Sequence, residues 1–189
     1  MLGLGGIRFE AAEPGATASL TLTGAGEGKV RWDFAYRNPA GASLRVKVDG
    51  GKAIELGETK GTSIQHRTLT GNFGGGKLEV EAVSGRPQLF GAVVERESPG
   101  VVLDTLGIGG ARVATTLVWD EPSWTSELTK RAPDLVVIAF GTNESQENSG
   151  SEERYQRQMD ELLKRVRSAA PDADCVVITP MDRSKIEAE

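Results

Sequence analysis

Residues 135–145 read LVVIAFGTNES. Six apolar residues run into Gly141, and Asn143 follows two positions later. An asparagine carboxamide at a strand tip can donate hydrogen bonds to a negative charge that develops during a reaction. A second segment, LGIGGARVA at 106–114, contains Gly109-Gly110. There the backbone can approach a ligand closely and turn its amides toward it. Backbone N–H groups together with an asparagine amide are the parts of an oxyanion hole. Each signal also has a plain structural reading, since Gly-Gly is a common turn and Asn a common loop residue. The glycines do not form a dinucleotide fingerprint: after Gly107 and Gly109, its third glycine falls on Arg112.

Other reactive side chains are few. His66, in SIQHRTLTG, is the only histidine, and Cys175 the only cysteine. His66 lies mid-strand beside Arg67 and is expected to face solvent rather than act as a base. Arg112 and Glu144 are expected to stabilise loops or face solvent rather than touch substrate. With one cysteine no internal disulfide can form. No metal site and no organic cofactor are implied.

Two kinds of segment must position these residues. The last ninety carry unbroken apolar runs, VVLDTLG, LVVIAF and DCVVITP. Such runs suit strands covered on both faces, as in a parallel sheet. SELTKRA is expected to end a helix before Pro133. In SGSEERYQRQMDELLKRVRSAAPDA, Tyr155, Met159, Leu162, Leu163, Val166 and Ala170 fall at helical spacing. Ser149 and Glu152 offer a capping box, and Pro171 closes the helix. Strands alternating with helices indicate an α/β arrangement, in which ligands bind beyond the carboxyl ends of strands.

The first hundred residues alternate instead. Val30, Trp32, Phe34 and Tyr36 oppose Arg31, Asp33 and Arg37, while Leu44, Val46 and Val48 oppose Arg45, Lys47 and Asp49. Leu78 and Val80 oppose Glu79 and Glu81 in the same way. A period of two with one polar face marks half-solvated antiparallel strands. Turns are expected at Asp49-Gly50-Gly51, Thr70-Gly71-Asn72 and Gly74-Gly75-Gly76, giving about eight short strands in a sandwich. Trp32 and Tyr36 lie on the apolar stripe and are expected in the core rather than as a sugar platform.

The 189 residues hold 24 glycines, 19 of them in the first hundred, and a net charge of −5. That charge argues against nucleic acid as a partner. The first hundred residues carry 12 Lys+Arg and 11 Asp+Glu, so the negative excess lies in the rest. Two domains are expected, 1–98 and 99–189, divided near Ser98-Pro99-Gly100. No apolar stretch approaches the ~20 residues that span a bilayer. MLGLGGIRFE is too short and too glycine-rich for a signal peptide.

The combination resembles the SGNH (GDSL-type) hydrolases. GVVLDTLGIGGAR is similar to their second block, with Gly110 at the oxyanion glycine. APDLVVIAFGTNES is similar to their third block, with Asn143 at the oxyanion asparagine and Glu144 where many members have Asp. That variant, and a β-sandwich inserted between the first and second blocks, resembles the peptidoglycan O-acetylesterases and their relatives. The resemblance implies a jelly-roll-like sandwich followed by an incomplete, flavodoxin-like three-layer α/β segment. It implies a serine esterase acting on O-acyl, most often O-acetyl, esters of a carbohydrate polymer, in the periplasm or outside the cell. A noncatalytic glycan-binding module with a vestigial α/β half is the alternative reading.

The family's other two blocks are not in this sequence. There is no Gly-Asp-Ser, and the chain reads TPMDRSKIEAE where an Asp-x-x-His would be sought. Asp182-Arg183-Ser184 forms a loop with no base beside it. The expectation is a fragment of a longer esterase, inactive alone, supplying Gly110 and Asn143 while the nucleophilic serine and the histidine base lie elsewhere. In a 2-1-3-4-5 strand order the absent first strand would sit between 101–106 and 135–140. Those strands then either border an open edge or pair with each other.

Overall fold

The computed structural model describes residues 1–23, 27–72, 76–146 and 151–180. The chain divides into two compact units, Leu2–Thr105 and Leu106–Glu189. Among the described residues no helix is long and apolar enough to cross a membrane.

The described residues of the first unit form eight strands: β1 (Phe9–Glu10), β2 (Thr17–Thr21), β3 (Lys29–Arg37), β4 (Ser43–Val48), β5 (Ile54–Leu56), β6 (Gln65–Asn72), β7 (Lys77–Ser84) and β8 (Gln88–Arg96). They form two antiparallel sheets, ordered β1-β8-β3-β6 and β2-β7-β4-β5. The alternation in the sequence sets the register. Val30, Trp32 and Phe34 from one sheet meet Leu44, Val46, Leu78 and Val80 from the other in one core. Trp32 is 1% exposed, which places it in the core and removes it as a sugar platform. Tyr36 is half-buried and stacks on Phe34, with ring centroids 5.5 Å apart and planes 7° apart.

Two expectations for this unit are corrected. Thr70-Gly71-Asn72 is not a turn: it continues β6, with Gly71 paired to Val30. A Cβ on Gly71 would lie 2.6 Å from Val48 Cγ1, 2.8 Å from Asp49 Oδ2 and 3.0 Å from Trp32 Nε1. The glycine marks a close approach inside a strand, not a reversal. His66 does not simply face solvent. It is half-buried, with Nδ1 3.1 Å from Asp33 Oδ1 on the neighbouring strand. Asp49-Gly50 does reverse the chain, with φ of 52° and 68°. Of the third expected turn, Gly74 and Gly75 lie outside the described residues.

The second unit contains α1 (Val113–Leu117), α2 (Glu121–Arg131), β9 (Leu135–Ala139), a 3₁₀ turn at Glu144–Gln146, α3 (Glu152–Ala169) and β10 (Asp174–Ile178). The strands β9 and β10 pair in parallel, Leu135 opposite Asp174 through Ala139 opposite Ile178. Val113, Ile138, Met159, Leu162 and Val166 make the core, joined by Tyr155, Leu163 and Cys175. Asp120 caps α2, accepting from the Ser123 N–H at 3.2 Å and from the Ser123 hydroxyl. Pro133 follows directly on the left-handed Ala132, whose φ is 47°.

Here too the sequence reading is amended. VVLDTLG forms no strand: residues 101–106 make no ladder with any described residue, and Val101 and Leu103 are 99% and 86% exposed. A strand exists by pairing, and β9 pairs with β10 instead. The sheet is not covered on both faces by described residues, since Leu135 and Val137 are each 51% exposed. The cap of α3 is Ser151, which accepts from the Arg154 N–H at 3.1 Å. Ser149 lies outside the described residues.

Replacing Gly71 by Ala forces a methyl into the space shared by Val48, Asp49 and Trp32. The variant is expected to lose about 1–3 kcal/mol in urea unfolding, as overpacked sites do, while the exposed neighbour Thr70→Ala stays within about 0.5 kcal/mol.

Candidate active site

The site is built at the carboxyl end of β9, where the apolar strand must stop. Gly141 has φ of 117°, a conformation that L side chains rarely adopt. It is also buried, and a Cβ there would lie 2.8 Å from Pro180 Cγ and 3.2 Å from Tyr155 Oη. The strand therefore ends on glycine for two independent reasons, backbone geometry and space. The chain then turns, with the Ser145 N–H donating to the Gly141 carbonyl at 2.9 Å. Tyr155 Oη donates to the Phe140 carbonyl at 3.2 Å and braces the strand end from α3.

The turn presents Asn143 and Glu144 toward the segment that precedes α1. Asn143 Nδ2 donates to the Ala111 carbonyl at 2.8 Å. Ala111 directly follows Gly110, so the carboxamide lies one peptide from the second candidate residue. A carboxamide nitrogen carries two protons, and this bond uses one. Gly110 has φ of 79°, and a Cβ there would meet nothing within 4 Å. Its glycine answers to backbone conformation alone. Gly110 is exposed, and the Ala111 N–H donates to the Ile108 carbonyl at 3.0 Å to close the turn.

Glu144 does what the sequence reading expected only in outline. One carboxylate oxygen accepts the Val113 N–H at 2.7 Å, and the other accepts the Gly141 N–H at 3.0 Å. Arg112 is half-buried and precedes α1, where its own N–H donates to Thr115 Oγ1 at 3.1 Å. What sequence reasoning missed was Tyr155. Its helical spacing marked it as an apolar-face residue, and nothing in that spacing shows that its hydroxyl reaches a strand end. Asp182-Arg183-Ser184 lies outside the described residues. Among the described residues no three His, Cys, Asp or Glu side chains gather as metal ligands.

Burial first, and then the negative charge of Glu144, hold the Tyr155 phenol above its ordinary value of 10.0. A raised value means that the folded state keeps its proton longer than the unfolded chain does. The contribution to stability is full below pH 10.0 and is lost as pH rises through the folded value.

A sequence model of the GDSL-like lipase/acylhydrolase family matches residues 69–189. Among solved structures, one titled "Peptidoglycan O-acetylesterase in action, 5 min" superposes with a TM-score of 0.75 at 20% identity, over 93% of this chain and 47% of that one. The chain thus spans about half the length of that structure. A family two carbohydrate esterase from Clostridium thermocellum, in complex with cellohexaose, matches 94% of this chain and 74% of its own at 12% identity and a TM-score of 0.31. A carbohydrate binding module of Cellvibrio mixtus lichenase 5A, in complex with cellotriose, matches 46% of this chain and 74% of its own at 18% identity and a TM-score of 0.34. No curated protein matches the chain.

The Tyr155 hydroxyl gives a direct test of this geometry. Tyr155→Phe is expected to cost about 0.5–1.5 kcal/mol at neutral pH for the lost bond to Phe140. Stability measured by denaturant unfolding should fall more steeply with rising alkalinity in the wild type than in Tyr155→Phe.

Proposed function

The chain belongs to the GDSL-like lipase/acylhydrolase family, and from that premise we propose that it supplies the oxyanion-stabilising part of a serine esterase acting on O-acyl esters of a carbohydrate polymer. In the reaction a serine hydroxyl attacks the acyl carbon while a histidine takes its proton. The carbonyl oxygen becomes an oxyanion. The Gly110 N–H and the second Nδ2 proton of Asn143 donate to it. Collapse of the tetrahedral intermediate releases the sugar hydroxyl, and water then frees the acyl group from the serine. No Gly-Asp-Ser and no Asp-x-x-His occur in these 189 residues. The proposal assigns the nucleophile and the base to sequence beyond them.

One observation carries this reading: the hydrogen bond from Asn143 Nδ2 to the Ala111 carbonyl, which joins the carboxamide to the loop that holds Gly110. The similarity to a peptidoglycan O-acetylesterase structure favours an acetyl group on a glycan, and with it a site of action outside the cytoplasm. In the same reading, residues 99–189 are a piece of a flavodoxin-like three-layer domain and residues 1–98 a jelly-roll-like sandwich.

The test is hydrolysis of p-nitrophenyl acetate and of O-acetylated cell-wall glycan. The 189-residue chain is expected to be inert. A longer chain that also carries the Gly-Asp-Ser and Asp-x-x-His blocks is expected to turn over both substrates. In that longer chain, Asn143→Ala should lower kcat roughly 10²–10³-fold with little change in KM. Serine-dependent turnover by the 189 residues alone would sink the assignment of roles. Glycan binding without hydrolysis in the longer chain would favour a noncatalytic module.

A further inference from the structure

Glu144 sits next to a residue proposed to stabilise an oxyanion, and a carboxylate at such a place invites a role as acid or base. Its bonding argues otherwise. Each oxygen accepts a backbone N–H, Val113 at 2.7 Å and Gly141 at 3.0 Å. The first bond crosses to the other loop, and the second folds back onto its own. Asn143, one residue earlier, crosses in parallel to Ala111. Consecutive side chains of one loop thus hold positions 111 and 113 of the other. Val113 is fully buried and opens α1, whose first turn contains no acidic residue. The amides of a helix's first turn have no partner within the helix. Here the partner of the first one comes from the β9 side of the site.

We propose that Glu144 is a positioning residue: its carboxylate sets the separation of Gly110 and Asn143 by holding Val113 and Gly141 at once, and it neither gives nor takes a proton in the reaction. This deepens the function proposed above and rests on it for its meaning, but the positioning itself can be read without activity. The demand is for two acceptors on one short side chain. Glutamine offers one acceptor and sets its NH₂ against the remaining N–H donor. Aspartate keeps the charge and both oxygens, but one methylene less of reach.

The experiment is amide hydrogen exchange and ¹⁵N-resolved NMR on the 189-residue chain, with Glu144→Gln, Glu144→Asp and, as a control, the exposed Glu152→Gln. In Glu144→Gln, exchange protection at Val113 or Gly141 should fall by roughly tenfold or more. The Gly110 amide and the Asn143 side-chain amide should shift with it, while Met159, Leu162 and Val166 in α3 stay as in the wild type. Glu144→Asp should show the same pattern more weakly, and it decides the matter if Glu144→Gln does not fold. Glu152→Gln should leave all four site signals in place. Unmoved Gly110 and Asn143 signals in a folded Glu144 variant would overturn the proposal.

An activity readout then separates the two ideas. In a longer, esterase-active chain, Glu144→Gln should lower kcat and keep both limbs of the pH–rate profile, whereas loss of a limb would make Glu144 an acid or base and overturn the proposal. A longer chain with no esterase activity would instead defeat the proposed function, with the exchange data still deciding whether Glu144 positions the loops.

Discussion

Two hydrogen bonds between loops 31 and 32 residues apart in sequence hold this site together: Val113 to Glu144, and Asn143 to Ala111. Bonds within each loop close its own turn, and these two fix one loop against the other. Gly110 is exposed and lies in a left-handed conformation with open space around it, so its position follows from what anchors the residues after it. A carboxylate accepting amide protons is among the stronger hydrogen bonds available to a protein. It is also directional, and a pair of such bonds through one carboxylate constrains both ends. Asn143 can therefore keep one proton on Ala111 and still have the other to give.

That constraint works because the strand beneath it is well fixed. The parallel ladder of β9 and β10 sets where Gly141 falls, and Ile138 packs into the core with Met159, Leu162 and Val166. Tyr155 links the same helix to the strand end through its hydroxyl. The position of the loop thus depends on packing one layer below. Among the described residues the ladder has two strands, and Leu135 and Val137 are half exposed. Buried parallel sheets normally carry apolar residues on both faces because both are covered.

The first unit solves a different problem. Its two sheets enclose Trp32 and Phe34 with aliphatic partners from the facing sheet, so its largest aromatic side chain goes to stability rather than to a surface. Asn38 is fully buried beside that core. It donates from Nδ2 to the carbonyls of Leu56 at 2.7 Å and Gly57 at 2.9 Å, bonding the backbone where β5 ends. The His66–Asp33 pair is likewise a local contact between adjacent strands.

Local chemistry by itself determined the alternating strands β3, β4 and β7 and the course of α3, and it marked the end of the apolar run at Gly141. A period of two, a period of 3.6 and a glycine after an apolar run each act over a few residues. Residue types also marked Gly110 and Asn143 as candidates. The tertiary structure alone decided that Gly71 belongs inside a strand, because its reason is the crossing of Val48, Asp49 and Trp32 from elsewhere in the chain. It alone decided that 101–106 is not a strand, because a strand is defined by a neighbour and not by its own composition. Glu144 shows the division most plainly. Its sequence neighbours give no hint of Val113, and its role exists only because folding brings an unpartnered helix amide within 2.7 Å of its carboxylate.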